Sequence, residues 1–153
     1  MWGPPFASIL SHALRGGAQL RGGVAIREAE SAREVLARYR DEGWRLCGIS
    51  WHPEVAGGTT SADEVEAVFG RTHELLGLDV DHVWCPHGDG APVCWCRKPL
   101  PGLGVGLIER HRLDPARGVY IGRDASDRTF ARVLGFPYRD AAEALGSGPE
   151  GVG

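Results

Sequence analysis

Cys85-Pro86-His87-Gly88-Asp89-Gly90-Ala91-Pro92-Val93-Cys94-Trp95-Cys96-Arg97-Lys98-Pro99 is the stretch on which the reading of this chain turns. Three of the four cysteines fall within it and are joined by one histidine, in a C-x-H…C-x-C constellation closed within twelve residues. Thiolates and imidazole suit tetrahedral Zn²⁺, and four protein ligands leave no open position for water. A zinc site at Cys85, His87, Cys94 and Cys96 is therefore expected to be structural. Gly88, Gly90 and Pro92 let the chain fold back so that the two ligand pairs converge. A disulfide needs an oxidising compartment and leaves an odd thiol among the three, and a redox pair is the other reading left open. Cys47, remote from the loop, reads as a small buried hydrophobe.

On either side of this loop the sequence alternates strand and helix signals. Upstream, Ser31 and Glu34 have capping-box spacing, followed by Val35, Leu36 and Tyr39 on one helix face. Gly43 stops that helix, and Trp44 to Ser50 reads as a strand. Ser61 and Glu64 repeat the capping box ahead of an apolar stripe of Val65, Val68, Phe69, Leu75 and Leu76, closed by Gly77. Val80 to Trp84 forms a strand leading into the loop. Downstream come a helix from Leu103 to Arg112, a strand from Gly118 to Gly122, and a helix from about Ser126 to Leu134. Strands alternating with helices predict an α/β fold: a Rossmann-like parallel sheet covered on both faces, with ligands beyond the carboxyl ends of its strands.

Composition narrows the function classes. The chain has 153 residues, 42% hydrophobic and 24% charged, which fits one globular domain. Glycine and proline number 23 and 10, a share that favours many turns over a helical bundle. A net charge of −3 gives no global field toward nucleic acid or an anionic membrane. Two Arg-Gly-Gly copies, Arg15-Gly16-Gly17 and Arg21-Gly22-Gly23, read as a loop rather than an RNA-binding tail. No apolar run reaches the ~20 residues of a membrane helix, and the start lacks a signal-peptide pattern. A cytoplasmic protein is expected.

The loop joined to Cys96-Arg97-Lys98-Pro99-Leu100-Pro101-Gly102, with a strand end about twenty residues on, resembles the haloacid dehalogenase (HAD) superfamily, subfamily IIIA. Within it the likeness is to heptose-bisphosphate and histidinol-phosphate phosphatases, over roughly residues 30–140. The resemblance implies a HAD-type fold, Mg²⁺, a phosphorylated small-molecule substrate and four motifs. Ser50 matches the phosphate-binding Ser/Thr at the second strand end. Lys98 matches the lysine that neutralises nucleophile and phosphate, and Arg97 a position that contacts substrate phosphate.

Two motifs depart from the family. Its first, Asp-x-Asp-Gly-Thr, supplies the nucleophile and the acid/base, yet Phe6 to His12 places Ser8 and Leu10 there, and no acid precedes Glu28. Its fourth, Gly-Asp-x-x-x-Asp, holds Mg²⁺; here it reads Gly122-Arg123-Asp124-Ala125-Ser126-Asp127. Asp127 matches, as a residual Mg²⁺ ligand or as the N-terminal charge of the next helix. Arg123 puts a fixed positive charge where a dication would sit. The expectation is a catalytically impaired phosphatase-like domain that binds phosphate through Ser50, Arg97, Lys98 and Arg123, or binds a protein partner. The alternative is an active Mg²⁺-dependent phosphatase. Residues 1–28 form an atypical N-terminal segment with a candidate first strand and a Gly/Arg-rich loop, and a displaced start or frame shift would give the same pattern. Residues 29–145 are the HAD-like domain, and 146–153 are expected to be a flexible tail.

Four further readings complete the inventory. His52 lies near the site mouth, as an acid/base, a substrate contact or neither. Trp51, Trp84 and Trp95 are expected to pack around the zinc loop. His12 beside Ser8 lacks a third partner for a nucleophilic triad. His73, His82 and His111 are expected to face solvent.

Overall fold

The computed structural model describes residues 6–9, 23–91 and 93–145, with side chains from residue 32 onward. The strands are β1 (Phe6–Ile9), β2 (Arg45–Trp51), β3 (Asp81–Cys85), β4 (Val119–Gly122) and β5 (Tyr138–Asp140). The helices are α1 (Gly23–Asp41), α2 (Pro53–Ala56), α3 (Ala62–Leu76), α4 (Gly102–His111), α5 (Ala125–Leu134) and α6 (Ala141–Ala144). Every strand pairing is parallel, in the order β3-β2-β1-β4-β5. Leu46 through Ser50 are buried without interruption, as expected for a strand covered on both faces.

Side-chain alternation divides the core in two. Leu46, Val119 and Ile121 pack with Ala32 and Leu36 of α1 and Ala141 and Ala144 of α6. Cys47, Ile49 and Tyr120 pack with Leu107 of α4 and with Phe130 and Ala131 of α5. Helices thus cover both faces. β1 lies at the centre, with Ser8 in register with Cys47 on one side and Tyr120 on the other. The chain winds outward from β1 through β2 and β3, then returns to β4 on the other side. That reversal creates the crevice where ligands of such sheets bind.

Several boundaries differ from expectation. α1 begins at Gly23, so Ser31 lies inside the helix rather than at its start, and part of the expected Gly/Arg loop is helical. The capping box at Ser61 and Glu64 forms as read, with Ser61 Oγ accepting from the Glu64 amide and Glu64 accepting from the Ser61 amide. β5 and α6 were not foreseen; three residues of strand carry too little periodicity to register. Leu10 and the tail from 146 lie outside the described residues.

Two glycines one turn face apart in α4 allow a packing test. A Cβ on Gly104 would sit 2.3 Å from Leu134 Cδ1 and 2.8 Å from Phe130 Cζ, whereas one on Gly106 meets open space. Gly104→Ala is expected to destabilise by about 1–3 kcal/mol through overpacking between α4 and α5. Gly106→Ala is expected to stabilise by about 0.5–1 kcal/mol through helix propensity. Urea unfolding of both variants checks the pair, and equal effects would contradict the packing described.

Candidate functional site

Lys98, Asp127 and Tyr120 converge near the carboxyl end of β4. Asp124 caps α5, its Oδ1 accepting from the Asp127 amide at 2.8 Å, which fixes the first turn and turns Asp127 inward. Gly122 makes room for it: a Cβ there would stand 2.5 Å from Asp127 Cβ. The Asp127 side chain is 3% exposed and accepts at Oδ1 from Lys98 Nζ and from Tyr120 Oη, the latter at 3.1 Å. Its Oδ2 accepts from the Arg123 amide at 2.9 Å. Burial raises the Asp127 pKa, but the Lys98 charge and the Arg123 amide outweigh it and hold the carboxyl below its ordinary value. Burial and the Asp127 charge push the Tyr120 phenol well above its ordinary value, so it stays a donor.

Arg97 turns toward the cysteine loop. Its guanidinium lies 5.1 Å over the Trp51 ring and donates to the Gly88 carbonyl at 3.2 Å. Trp51 Nε1 donates to the His87 carbonyl at 2.7 Å, which ties the end of β2 to the loop. The donor atoms of Cys85, His87, Cys94 and Cys96 all lie within 4.8 Å of one another. Cys85 Sγ stands 3.5 Å from Cys94 Sγ and 3.2 Å from Cys96 Sγ, and His87 Nδ1 stands 3.1 Å from Cys96 Sγ. These separations exceed a disulfide bond and approach the edge, about 3.8 Å, of a tetrahedron built on ~2.3 Å metal–sulfur bonds. Three soft thiolates and an imidazole in this arrangement fit a metal ion.

Ser50, at 2% exposed, belongs to a different network. Its Oγ lies 3.0 Å from His52 Nε2 and 3.1 Å from His82 Nε2, while His52 Nδ1 lies 2.7 Å from Glu54 Oε1. The Glu54 carboxylate only accepts, so His52 Nδ1 carries a proton toward it. His82 stacks on Phe69 with 3.7 Å between ring centroids, and its buried Nδ1 has no partner among the described residues. Burial, with lesser contributions from His73 and His52, lowers the His82 pKa from 6.5 to about 3. The ring is therefore neutral.

Of the residues expected to form one phosphate cradle, Lys98 joins Asp127, Arg97 stacks on the loop side, and the Arg123 amide braces Asp127 while its side chain is exposed. Ser50 Oγ is engaged by both His52 and His82. The Mg²⁺ implied by the resemblance fits these residues poorly. Both oxygens of Asp127 are engaged, Asp124 caps α5, and Ser8 occupies the central strand position. Among the described residues, the cysteine cluster is the one group of three or more His, Cys, Asp or Glu side chains close enough to share an ion.

The expectations for three histidines and two tryptophans are corrected. His82 is a buried stacking partner rather than a solvent-facing ring. His111 Nε2 lies 2.6 Å from Asp81 Oδ2, and His73 Nε2 is buried, because the last turns of α3 and α4 lie against the start of β3. Trp51 packs on the loop as expected, but Trp84 donates to Glu66 at 2.6 Å and Trp95 is 65% exposed. Cys47 is fully buried, and burial pushes its thiol up to about 12. The alternating Ser50-x-His52-x-Glu54 spacing was the available signal for the first network. Nothing local announced His82 or Tyr120.

With this geometry in view, the parallel sheet and strand-end site define an α/β protein of the HAD-like fold. A crystal structure of D,D-heptose 1,7-bisphosphate phosphatase from B. bronchiseptica, complexed with magnesium and phosphate, superposes with a TM-score of 0.69 over 96% of this chain and 88% of that one, at 21% identity. In sequence the chain resembles the heptose-bisphosphate phosphatases. It is 30% identical over 110 residues to D-glycero-beta-D-manno-heptose-1,7-bisphosphate 7-phosphatase of Pseudomonas aeruginosa, covering 68% of this chain and 60% of that protein. It is 34% identical over 116 residues to D-glycero-D-manno-heptose-1,7-bisphosphate 7-phosphatase of Thermosynechococcus vestitus, covering 67% and 59%. The chain thus matches about 60% of the length of these relatives. No family model matches it.

The buried neutral His82 makes a pH prediction. Its folded pKa lies below its ordinary value, so the unfolded chain binds more protons between about pH 6.5 and 3, and stability falls as pH drops through that window. One proton contributes about 1.4 kcal/mol per pH unit. Denaturant unfolding at several pH values should show a profile shallower by about that slope in His82→Gln than in the parent chain. Parallel profiles would contradict the assignment.

Proposed function

We propose that this chain is a HAD-type phosphate-ester-binding domain that grips a phosphoryl group with fixed cations and does not hydrolyse it through an aspartyl-phosphate. The observation that carries this reading is the Lys98–Asp127 pair, in which an ammonium stands against the acid that the family uses for Mg²⁺. The phosphate is assigned to Lys98, Arg97 and Arg123, which the structure holds on Asp127, over Trp51 and exposed to solvent respectively, so a ligand has to draw them together. Charge-assisted bonds from such groups to phosphate contribute roughly 1.5–3 kcal/mol each. The ligand class is a sugar phosphate or histidinol phosphate. The relatives' names, which specify a heptose bisphosphate, support the sugar phosphate. Ser8 stands in register with Cys47 and Tyr120, where the resemblance puts the family's nucleophile, and a serine at that position cannot form an aspartyl-phosphate.

The Cys85, His87, Cys94 and Cys96 cluster is assigned to structural Zn²⁺. The donor softness and the sulfur separations support that metal, which would supply cross-linking of the loop rather than chemistry. Metal analysis of freshly purified chain is expected to give about one equivalent of zinc, and a strong chelator should lower the melting temperature. Less than about half an equivalent, with a chelator-insensitive melt, would remove zinc from the account.

Phosphate release tests the catalytic reading, with heptose bisphosphate and histidinol phosphate as substrates, with and without Mg²⁺. The parent chain is expected to be silent, and the Ser8→Asp/Leu10→Asp variant to gain Mg²⁺-dependent turnover. Mg²⁺-dependent turnover by the parent chain would establish the alternative, an active phosphatase.

A further inference from the structure

A cavity of about 620 Å³ lies between α5 and the start of β5, lined by Arg128, Thr129, Arg132, Phe136, Pro137 and Tyr138 among others. Its volume falls within the range of small-molecule sites, about 300–1,000 Å³. Arg128 and Arg132 are spaced four residues apart, which places both on one face of α5. Neither guanidinium has a carboxylate partner among the described residues, whereas four of the other cations, Arg40, Arg71, Lys98 and Arg110, are each paired with an acid. Arg128 lies 5.0 Å over the Tyr138 ring, which holds it against the wall and orders it before any ligand arrives.

The remaining lining is largely carbon. Phe136 is buried, and Pro137 and the Tyr138 ring continue the same surface. Tyr138 Oη is buried without a hydrogen-bond partner among the described residues, an unsatisfied donor on a wall residue. Burial, followed by the Asp140 and Asp127 charges, raises its pKa, so it remains protonated. Two cations with no acid partner among the described residues, beside an apolar wall, match a ligand carrying one anionic head on an apolar ring.

We propose that the α5/β5 cavity is a second ligand site, separate from the strand-end site, that binds a small aromatic anion. Arg128 and Arg132 hold its carboxylate or phosphate, and its ring lies against Pro137 and Tyr138. The site stands independently of the reading given above for Lys98 and Asp127, because no residue is shared between them.

Amide NMR titration of the full chain tests the proposal with four probes: benzoate, phenyl phosphate, phenol and inorganic phosphate. Benzoate and phenyl phosphate are expected to shift Thr129, Gly135 and Tyr138 saturably. Phenol should fail for want of a charge, and inorganic phosphate should bind there more weakly for want of a ring. The Arg128→Gln/Arg132→Gln variant should weaken benzoate binding about tenfold or more. Should that variant unfold, Arg132→Gln alone replaces it. Equal binding of phenol and benzoate, or benzoate shifts confined to residues around Gly122 and Asp124, would overturn the proposal. So would benzoate affinity unchanged in the variants.

Discussion

The ion pair between Lys98 and Asp127 holds the site end of this protein together. Both side chains are nearly buried, and each makes the other's burial tolerable. Lys98 follows directly on the cysteine loop, and Asp127 sits in the first turn of α5, so the pair joins the loop to the sheet across the end of β4. The geometry around it is built to the same end: Gly122 leaves space, Asp124 sets the helix turn, and Tyr120 and the Arg123 amide fill the remaining carboxylate positions. Removing one partner of such a pair leaves an uncompensated charge and typically costs about 3–5 kcal/mol, far more than an exposed ion pair is worth.

The cysteine cluster and this pair act on the same segment from two sides. The cluster fixes Cys94 and Cys96, and Arg97 then packs on Trp51 while Lys98 enters the sheet side. Trp51, in turn, reaches back to the loop through the His87 carbonyl. Beneath it, the Glu54–His52–Ser50–His82 chain satisfies the polar groups at the end of β2 and leaves one imidazole nitrogen without a partner among the described residues. A buried polar chain of this kind is stable only while every ring keeps its assigned proton. The end of β2 is thus held by hydrogen bonds and the end of β4 by charge.

The fold was legible because its signals are local. Glycine stops, the Ser61 capping box and apolar runs of strand length placed most elements within a residue or two. The start of α1 was misread because Ser31 and Glu34 satisfy the capping-box spacing inside a helix, where the pattern has no meaning. The Cys/His cluster was legible for the same reason as the capping box: its four residues lie within twelve of one another in sequence. The partners of Ser50 and Asp127 were not, because His82 is 32 residues from Ser50 and Lys98 is 29 from Asp127. Register and helix packing bring them together, and single-sequence periodicity carries neither.

Calorimetric titration of inorganic phosphate into the chain, once in EDTA and once in excess Mg²⁺, tests the central account most directly. If Lys98, Arg97 and Arg123 supply the positive charge, the two affinities agree within about twofold, a difference of less than about 0.5 kcal/mol. If Mg²⁺ tightens phosphate binding tenfold or more, the dication has a place in the site and the fixed-cation account is wrong.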